Sequence, residues 1–204
     1  MPINFTVRAD VVDVRTDTPK PDDVFLIDTN VWQLLAYSRA RPSARQQTDY
    51  PAYIAKAKTN GSLFARCGLT FAELAHVIEK TEREIHARAN GLNPGATKEF
   101  RHNYPLERGR VVAEIEAVWN QVKSLACPID VMIDDPTTDA ALAKCLSQCV
   151  DGYDLFILEA AARSKVKQVI TDDGDYSTVP GNQVFTSNPH VLTAAQTQGK
   201  LVVR

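Results

Sequence analysis

Short apolar segments alternate with longer helical patterns along most of this 204-residue chain, and this alternation constrains the fold more than any other feature. The clearest apolar segment is Val24-Phe25-Leu26-Ile27, and further candidates are residues 63–69, 129–133, 166–170 and 184–185. Continuous apolar runs of this length favour strands that are buried on both faces, as in parallel sheets. The alternation therefore predicts an α/β fold, a three-layer α/β/α sandwich with a mainly parallel central sheet.

Helical patterns follow most of these strands. Asn30 can cap the first helix, which begins directly after the strand at residues 24–27. Further helices are predicted to begin near residue 70, to cover residues 106–125 and 137–149, to follow Asp151, and to start at about Pro189. Glycine and proline interrupt the pattern between residues 90 and 105. This interruption predicts an insertion at about residues 86–110.

The first 22 residues predict an extension of the main domain. Ile3, Phe5 and Val7 alternate with polar residues, which indicates a strand within residues 3–14. Two prolines within residues 16–23 indicate a loop after it. We therefore expect an N-terminal strand and loop over residues 1–22 and one domain over residues 23–204.

Composition excludes several classes of protein. The net charge of −2 means that a polyanion would have to be attracted by local basic patches rather than by the whole molecule. We find no secretion signal and no apolar run long enough to cross a membrane, so we expect a cytoplasmic protein. The four cysteines lack metal-binding spacing, which favours buried thiols in a reducing compartment.

Four acidic residues mark the ends of separate apolar segments: Asp28, Glu73, Asp154 and Asp173. In a parallel α/β sheet these positions converge on one crevice at the carboxyl edge. Carboxylates brought together there repel one another unless a cation lies between them. Oxygen ligands are those that Mg²⁺ and Mn²⁺ prefer. This pattern indicates metal-dependent hydrolysis of a phosphodiester.

Each acid also has a purely structural interpretation. Glu73 follows Thr70 at the spacing of a capping box, and Asp151 is placed to cap the helix that carries Asp154. Aspartates are also common in turns, such as the one around residues 173–175 and the one that Asp28 would occupy after the strand at residues 24–27. The shared position of all four acids favours the joint site. Phosphate-binding glycine loops and the serine-hydrolase elbow are absent from the sequence.

The residues around these acids resemble four motifs of the PIN-domain family, in the family's order. The matching segments are Leu26-Ile27-Asp28-Thr29-Asn30-Val31, Thr70-Phe71-Ala72-Glu73-Leu74, Asp154-Leu155-Phe156-Ile157-Leu158-Glu159-Ala160-Ala161 and Val169-Ile170-Thr171-Asp172-Asp173-Gly174-Asp175-Tyr176. The resemblance covers roughly residues 23–190 without the middle segment, and this chain is longer than a typical VapC-type toxin of the family.

The resemblance implies a compact α/β/α nuclease that cleaves RNA with Mg²⁺ or Mn²⁺. It places Asp28, Glu73, Asp154 and Asp173 at the catalytic and metal-binding positions, with Asp175 as an auxiliary ligand and Asp151 as a further candidate. Thr29, Asn30 and Thr171 match positions that orient these carboxylates. An antitoxin protein and a homodimer are the implied partners. The alternative is a catalytically silent scaffold of the same fold that binds RNA or protein.

Two basic segments are candidates for substrate contact. Residues 39–66 carry a net charge of +5 and residues 83–110 a net charge of +3, whereas residues 130–175 carry −6. Basic walls beside an acidic metal site suit a nucleic-acid substrate, although an ordinary solvated surface would have the same composition. The predicted contacts are Arg39, Arg41, Arg45, Arg101 and Arg108.

Overall fold

The computed structural model describes residues 6–204, which form one six-stranded sheet in which all strand pairs are parallel. Its strands are β1 (Asp10–Asp13), β2 (Val24–Ile27), β3 (Leu63–Arg66), β4 (Cys127–Pro128), β5 (Gln168–Ile170) and β6 (Gln183–Thr186). The predicted strand positions Ile3 and Phe5 lie outside the described residues. The prediction of an α/β fold with a parallel sheet is confirmed.

Eight α-helices lie in the described part of the chain. They are α1 (Thr29–Ala36), α2 (Ala44–Thr59), α3 (Gly68–Asn90), α4 (Thr97–Asn103), α5 (Pro105–Leu125), α6 (Asp135–Cys145), α7 (Gly152–Arg163) and α8 (Pro189–Thr197). A short 3-10 helix covers Asp175–Thr178. No helix within residues 6–204 combines the length and the hydropathy that a membrane span requires.

The helices cover both faces of the sheet and form two cores. One core joins alternate strand residues, among them Val11, Leu26, Val169 and Val184, to helices α6, α7 and α8. The other core joins the intervening residues, among them Val12, Phe25, Ile170 and Phe185, to helices α1, α2, α3 and α5. Because successive strand residues point to opposite faces, the apolar runs supply both cores and produce the three layers.

The strand order is β1-β6-β5-β2-β3-β4. From β2 the chain continues to β3 and β4 on one side, whereas β5 and β6 lie on the other side of β2. The direction of the connections therefore reverses between β2 and β5. In parallel α/β sheets the carboxyl ends of such a strand pair border the crevice where ligands bind.

The middle of the chain and one edge of the sheet differ from the sequence predictions. The predicted strand at residues 129–133 is wrong, because β4 covers Cys127–Pro128 and the backbone then leaves the edge of the sheet. Ile133 is 59% exposed, so its apolar side chain does not serve the core. Helix α2 was not predicted, and α4 occupies part of the segment in which no helical period was found.

Two smaller predictions are also corrected. Asp28, not Asn30, caps α1, because Asp28 alone separates the end of β2 from the start of α1 and its carboxylate accepts from the Thr29 amide. Only Cys67 is buried among the four cysteines, whereas Cys127, Cys145 and Cys149 are exposed. The exposed three lie at a sheet edge, at the end of α6 and in the following loop, where the chain buries few side chains.

Candidate metal centre

Asp28 lies at the switch between β2 and β5 and is buried. Its Oδ1 accepts from the backbone amide of Thr29 at 2.6 Å. Its Oδ2 accepts from the Thr171 hydroxyl at 2.5 Å and from the Asn30 amide at 2.6 Å. Asp28 is therefore held by hydrogen bonds from the start of α1 and from the residue after β5, which fix the orientation of its carboxylate.

Glu73 lies in the second turn of α3 and is half-buried. Its carboxylate accepts a hydrogen bond from the Thr29 hydroxyl. The capping interpretation of Glu73 does not apply, because the capping box of α3 pairs Cys67 with Thr70. Glu73 therefore faces the end of β2.

Asp151 and Asp154 begin α7. Asp151 caps the helix by accepting from the amides of Tyr153 at 3.1 Å and Asp154 at 3.3 Å. Asp154 is buried and accepts from the Tyr176 hydroxyl at 2.5 Å. Carboxylate oxygens of Glu73, Asp151 and Asp154 lie within 4.8 Å of one another. Asp151 thus combines its capping role with membership of an acidic group.

Asp173 follows β5 at the same edge. Its amide donates to the Thr171 hydroxyl at 2.9 Å, and its Oδ1 accepts from the Asp175 amide at 2.9 Å. Thr171 therefore links Asp173 to Asp28, since the same hydroxyl donates to Asp28. We call Asp28, Glu73, Asp151, Asp154 and Asp173 the acidic cluster.

Burial and mutual repulsion disfavour ionisation in the acidic cluster. Burial, together with the charges of Glu73 and Asp173, raises the pKa of Asp28 to about 7. Burial also raises the pKa of Asp154 to about 8, with the Asp28 charge as the next cause. The pKa of Glu73 is raised by burial and by Asp151, and that of Asp175 by burial and by Asp173.

No basic side chain compensates this charge in the described part of the chain. Within residues 6–204, the lysine, arginine and histidine ion pairs include no member of the acidic cluster. Oxygen donors that repel one another and lack a protein cation suit a hard divalent ion. The donor set contains carboxylates alone, which favours Mg²⁺ or Mn²⁺ over softer metals.

Four of the five arginines predicted to contact nucleic acid pair with acidic side chains. Arg39 binds Glu82 at 2.5 Å, and Arg45 binds Asp172 at 2.7 Å. Arg101 and Arg108 lie 2.6 Å and 3.6 Å from Glu79, which is buried. Arg41 is exposed and lines an open groove of about 380 Å³ that also contains Asn30. Arg39 lines the same groove but pairs with Glu82, so Arg41 is the predicted contact best placed to meet a ligand there.

Sequence reasoning missed the residues that support the turn after β5. The Asp172 carboxylate accepts from Gln46 and Tyr50, both at 2.6 Å, in addition to its ion pair with Arg45. Its backbone amide donates to Asn30 at 3.3 Å. The capping-box spacing of Ser43 and Gln46 could have revealed the start of α2, but no sequence signal places α2 against Asp172.

Fold and site together define an α/β protein with an acidic crevice at the carboxyl edge of a parallel sheet. No family model matches the chain, and no curated protein matches it. Similar solved structures include VapBC2 from Rickettsia felis bound to a DNA fragment from their promoter, with 11% identity and a TM-score of 0.48, over 80% of this chain and 98% of that chain. FitAB bound to an IR36 DNA fragment has 17% identity and a TM-score of 0.38, over 80% of this chain and 94% of that chain. FitAcB from Neisseria gonorrhoeae has 20% identity and a TM-score of 0.40, over 80% of this chain and 97% of that chain.

Proposed function

We propose that this chain is a metal-dependent endoribonuclease that hydrolyses RNA phosphodiester bonds. The observation that carries the proposal is the convergence of carboxylate oxygens from Glu73, Asp151 and Asp154 within 4.8 Å. Asp28 adds a buried carboxylate at the switch between β2 and β5. The ordered motifs that resemble PIN-domain proteins support the choice of an RNA substrate.

Glu73, Asp151 and Asp154 would hold the cation, with Asp28 and Asp173 as further oxygen donors and Asp175 next to them. When bound, Mg²⁺ or Mn²⁺ stabilises charge on the phosphoryl group and makes a water molecule more acidic. The protein contributes orientation, because Thr171 and Asn30 fix Asp28 and Tyr176 fixes Asp154.

Cleavage of a labelled RNA pool tests the proposal. Wild-type protein should cut the pool in Mg²⁺ or Mn²⁺ and not in EDTA, leaving 5′-phosphate and 3′-hydroxyl ends. Asp28→Asn and Asp154→Asn should each lower the cleavage rate at least about 100-fold. Asp139→Asn removes an exposed acid on α6 and should cleave like wild type. Absence of cleavage by wild type with every metal would support a silent scaffold instead.

We further propose that the nuclease acts as the toxin of a toxin–antitoxin pair and is neutralised by an antitoxin protein. The resemblance to VapC-type toxins supports this role, and a homodimer is the assembly proposed with it. Induced expression in a bacterial host should arrest growth with wild type and not with Asp154→Asn. Equal growth of the two cultures would contradict the toxin role and leave RNA processing as the function. Sedimentation of the purified chain measures its assembly.

A further inference from the structure

An open apolar cavity of about 420 Å³ lies beside the acidic cluster. Its lining consists of Leu69, Ile133, Asp151, Gly152, Tyr153 and Phe156. Leu69 and Phe156 pack against the core behind the cavity and form its fixed wall. Ile133 and Tyr153 are 59% and 51% exposed, so two large apolar side chains stand at its mouth.

The cavity and the acidic cluster share a residue. Asp151 lines the cavity and also contributes a carboxylate oxygen to the group with Glu73 and Asp154. Tyr153 follows two residues later in the first turn of α7, whose start is fixed by the Asp151 cap. The first turn of α7 therefore fixes the backbone positions of Tyr153 and Asp151 relative to one another.

We propose that this cavity binds the base of an unpaired nucleotide next to the scissile phosphate, with Tyr153 as the stacking partner. The inference rests on the proposed function, because a phosphate held by a cation at Asp151 brings the adjoining nucleoside to the cavity. Base and phosphate are separated by one sugar, and the cavity borders the cluster directly. A base in a duplex is stacked and paired, so the subsite selects single-stranded RNA.

A nucleotide suits the combined surface better than a protein segment does. The cavity wall is apolar and aromatic, whereas its edge is the site that would hold a divalent cation. A nucleotide carries an aromatic ring and an anionic group joined by one sugar, and so it complements both parts. An apolar peptide would fill the cavity but would supply no anionic group of its own to the cation.

Fluorescence of a short single-stranded RNA that carries one 2-aminopurine tests the subsite. The base is moved along the strand, and Ca²⁺ replaces Mg²⁺ as an oxygen-binding cation, with gels to verify that the strand stays intact. At one position, wild type should quench the fluorescence as the base stacks. Tyr153→Leu should lose the quenching and bind at least about fivefold more weakly.

Matched variants separate stacking from a change in fold. Tyr153→Phe retains the ring and should retain quenching, and Leu106→Ala removes an 82% exposed leucine on α5 and should behave like wild type. Equal quenching and affinity for Tyr153→Leu and wild type would overturn the subsite. It would also be overturned if Tyr153→Leu left RNA binding intact and instead abolished self-association or the binding of a protein partner.

The outcomes distinguish this subsite from the proposed function. Metal-dependent cleavage without any stacking at Tyr153 would remove the subsite and leave the nuclease proposal in place. If stacking depends on Tyr153 but the protein does not cleave RNA whichever metal is added, the subsite is retained and the hydrolytic function is removed.

Discussion

Single residues of the acidic cluster carry charges that oppose folding of the metal-free protein. Asp154 is buried, accepts one hydrogen bond from Tyr176, and has a pKa raised to about 8 by burial and by Asp28. A negative charge at such a position opposes folding unless a cation is bound. Functional sites often carry this kind of conflict.

Replacing Asp154 by asparagine should therefore stabilise the metal-free chain. The amide oxygen can still accept from Tyr176, while the repulsive charge is removed. At pH 8 in EDTA we expect Tm to rise by at least about 2–4 °C, the shift that about 1 kcal/mol produces in a domain of this size. Mn²⁺ should raise the Tm of wild type and not that of the variant. A lower Tm for Asp154→Asn in EDTA would contradict the electrostatic account.

Arg204 contrasts with the acidic cluster, because its buried charge is balanced by two carboxylates. Its guanidinium lies 2.6 Å from Asp17 and 2.8 Å from Asp23, and all three side chains are at most 8% exposed. It also lies over the Phe185 ring at 4.5 Å. Because removal leaves two buried carboxylates uncompensated, Arg204→Ala should lower the free energy of unfolding by about 3–5 kcal/mol.

Urea denaturation measures this effect, with Arg15→Ala as the matched control. Arg15 pairs with Asp13 at 2.6 Å but is 49% exposed, so its loss should cost only about 0–1 kcal/mol. Similar losses for the two variants would show that burial does not determine the strength of these pairs.

At the scale of elements, α2 supports the site from outside the acidic cluster. Arg45, Gln46 and Tyr50 from its first turns all bind the Asp172 carboxylate. Asp172 stands between Thr171 and Asp173, and its amide donates to Asn30. Packing of α2 therefore fixes the turn after β5. This turn carries Asp173 and the Thr171 hydroxyl, which orients Asp28.

Arg45 and Arg41 should consequently have separable roles. Arg45→Ala should weaken Mn²⁺ binding up to about tenfold, because the turn after β5 loses a support, and Arg45→Lys should restore part of it. Arg41→Ala should leave Mn²⁺ binding unchanged, weaken RNA binding and reduce its salt dependence by about one phosphate contact. Calorimetry with Mn²⁺ and RNA titrations at several salt concentrations measure the two effects. If Arg45→Ala instead weakened RNA binding and Arg41→Ala weakened Mn²⁺ binding, the substrate contact would be assigned to Arg45.

Helices and strands could be predicted from the sequence where the local hydrophobic pattern agrees with the burial of the same residues in the fold. Val24–Ile27 is a buried run in a central strand, and its bounds match the prediction. Helix α2 escaped prediction because its first turns are polar and a proline, Pro51, lies inside it, so that its burial is apparent only in the folded chain. The strand predicted at 129–133 failed because Met132 and Ile133 are exposed apolar residues rather than core residues.

Within the acidic cluster, too, some positions follow from the sequence pattern and others depend on tertiary packing. The positions of Asp28 and Asp173 after β2 and β5 follow from the general topology of parallel sheets, which brings strand ends together. The closeness of Asp151 to Glu73 depends instead on how α7 packs beside α3. No local pattern contains that packing, and the Asp151 capping signal favoured a structural role.

At the scale of the whole molecule, the acidic cluster should make metal-free stability depend on pH. The pKa values of Asp28 and Asp154 rise from 3.8 to about 7 and about 8. Between the unfolded and folded values the folded state binds more protons, so stability falls as the pH rises through the folded pKa values. The slope approaches at most about 1.4 kcal/mol per pH unit for each group.

Urea unfolding in EDTA from about pH 5.5 to about pH 9 measures this dependence. We expect wild type to lose stability across the range, and Asp154→Asn to lose less. Saturating Mn²⁺ should also flatten the profile, because the cation favours the ionised carboxylates. Rising stability toward pH 9 in EDTA would contradict the sign of these pKa shifts.

The most direct test of the account is calorimetric titration of the metal-free protein with Mn²⁺. We expect wild type to bind Mn²⁺ saturably. Binding should be lost in the double variant Glu73→Gln with Asp154→Asn and retained in Asp139→Asn, which alters an acid outside the cluster. Absence of binding by folded wild type, or equal binding by the double variant, would contradict the claim that these carboxylates form a divalent metal centre.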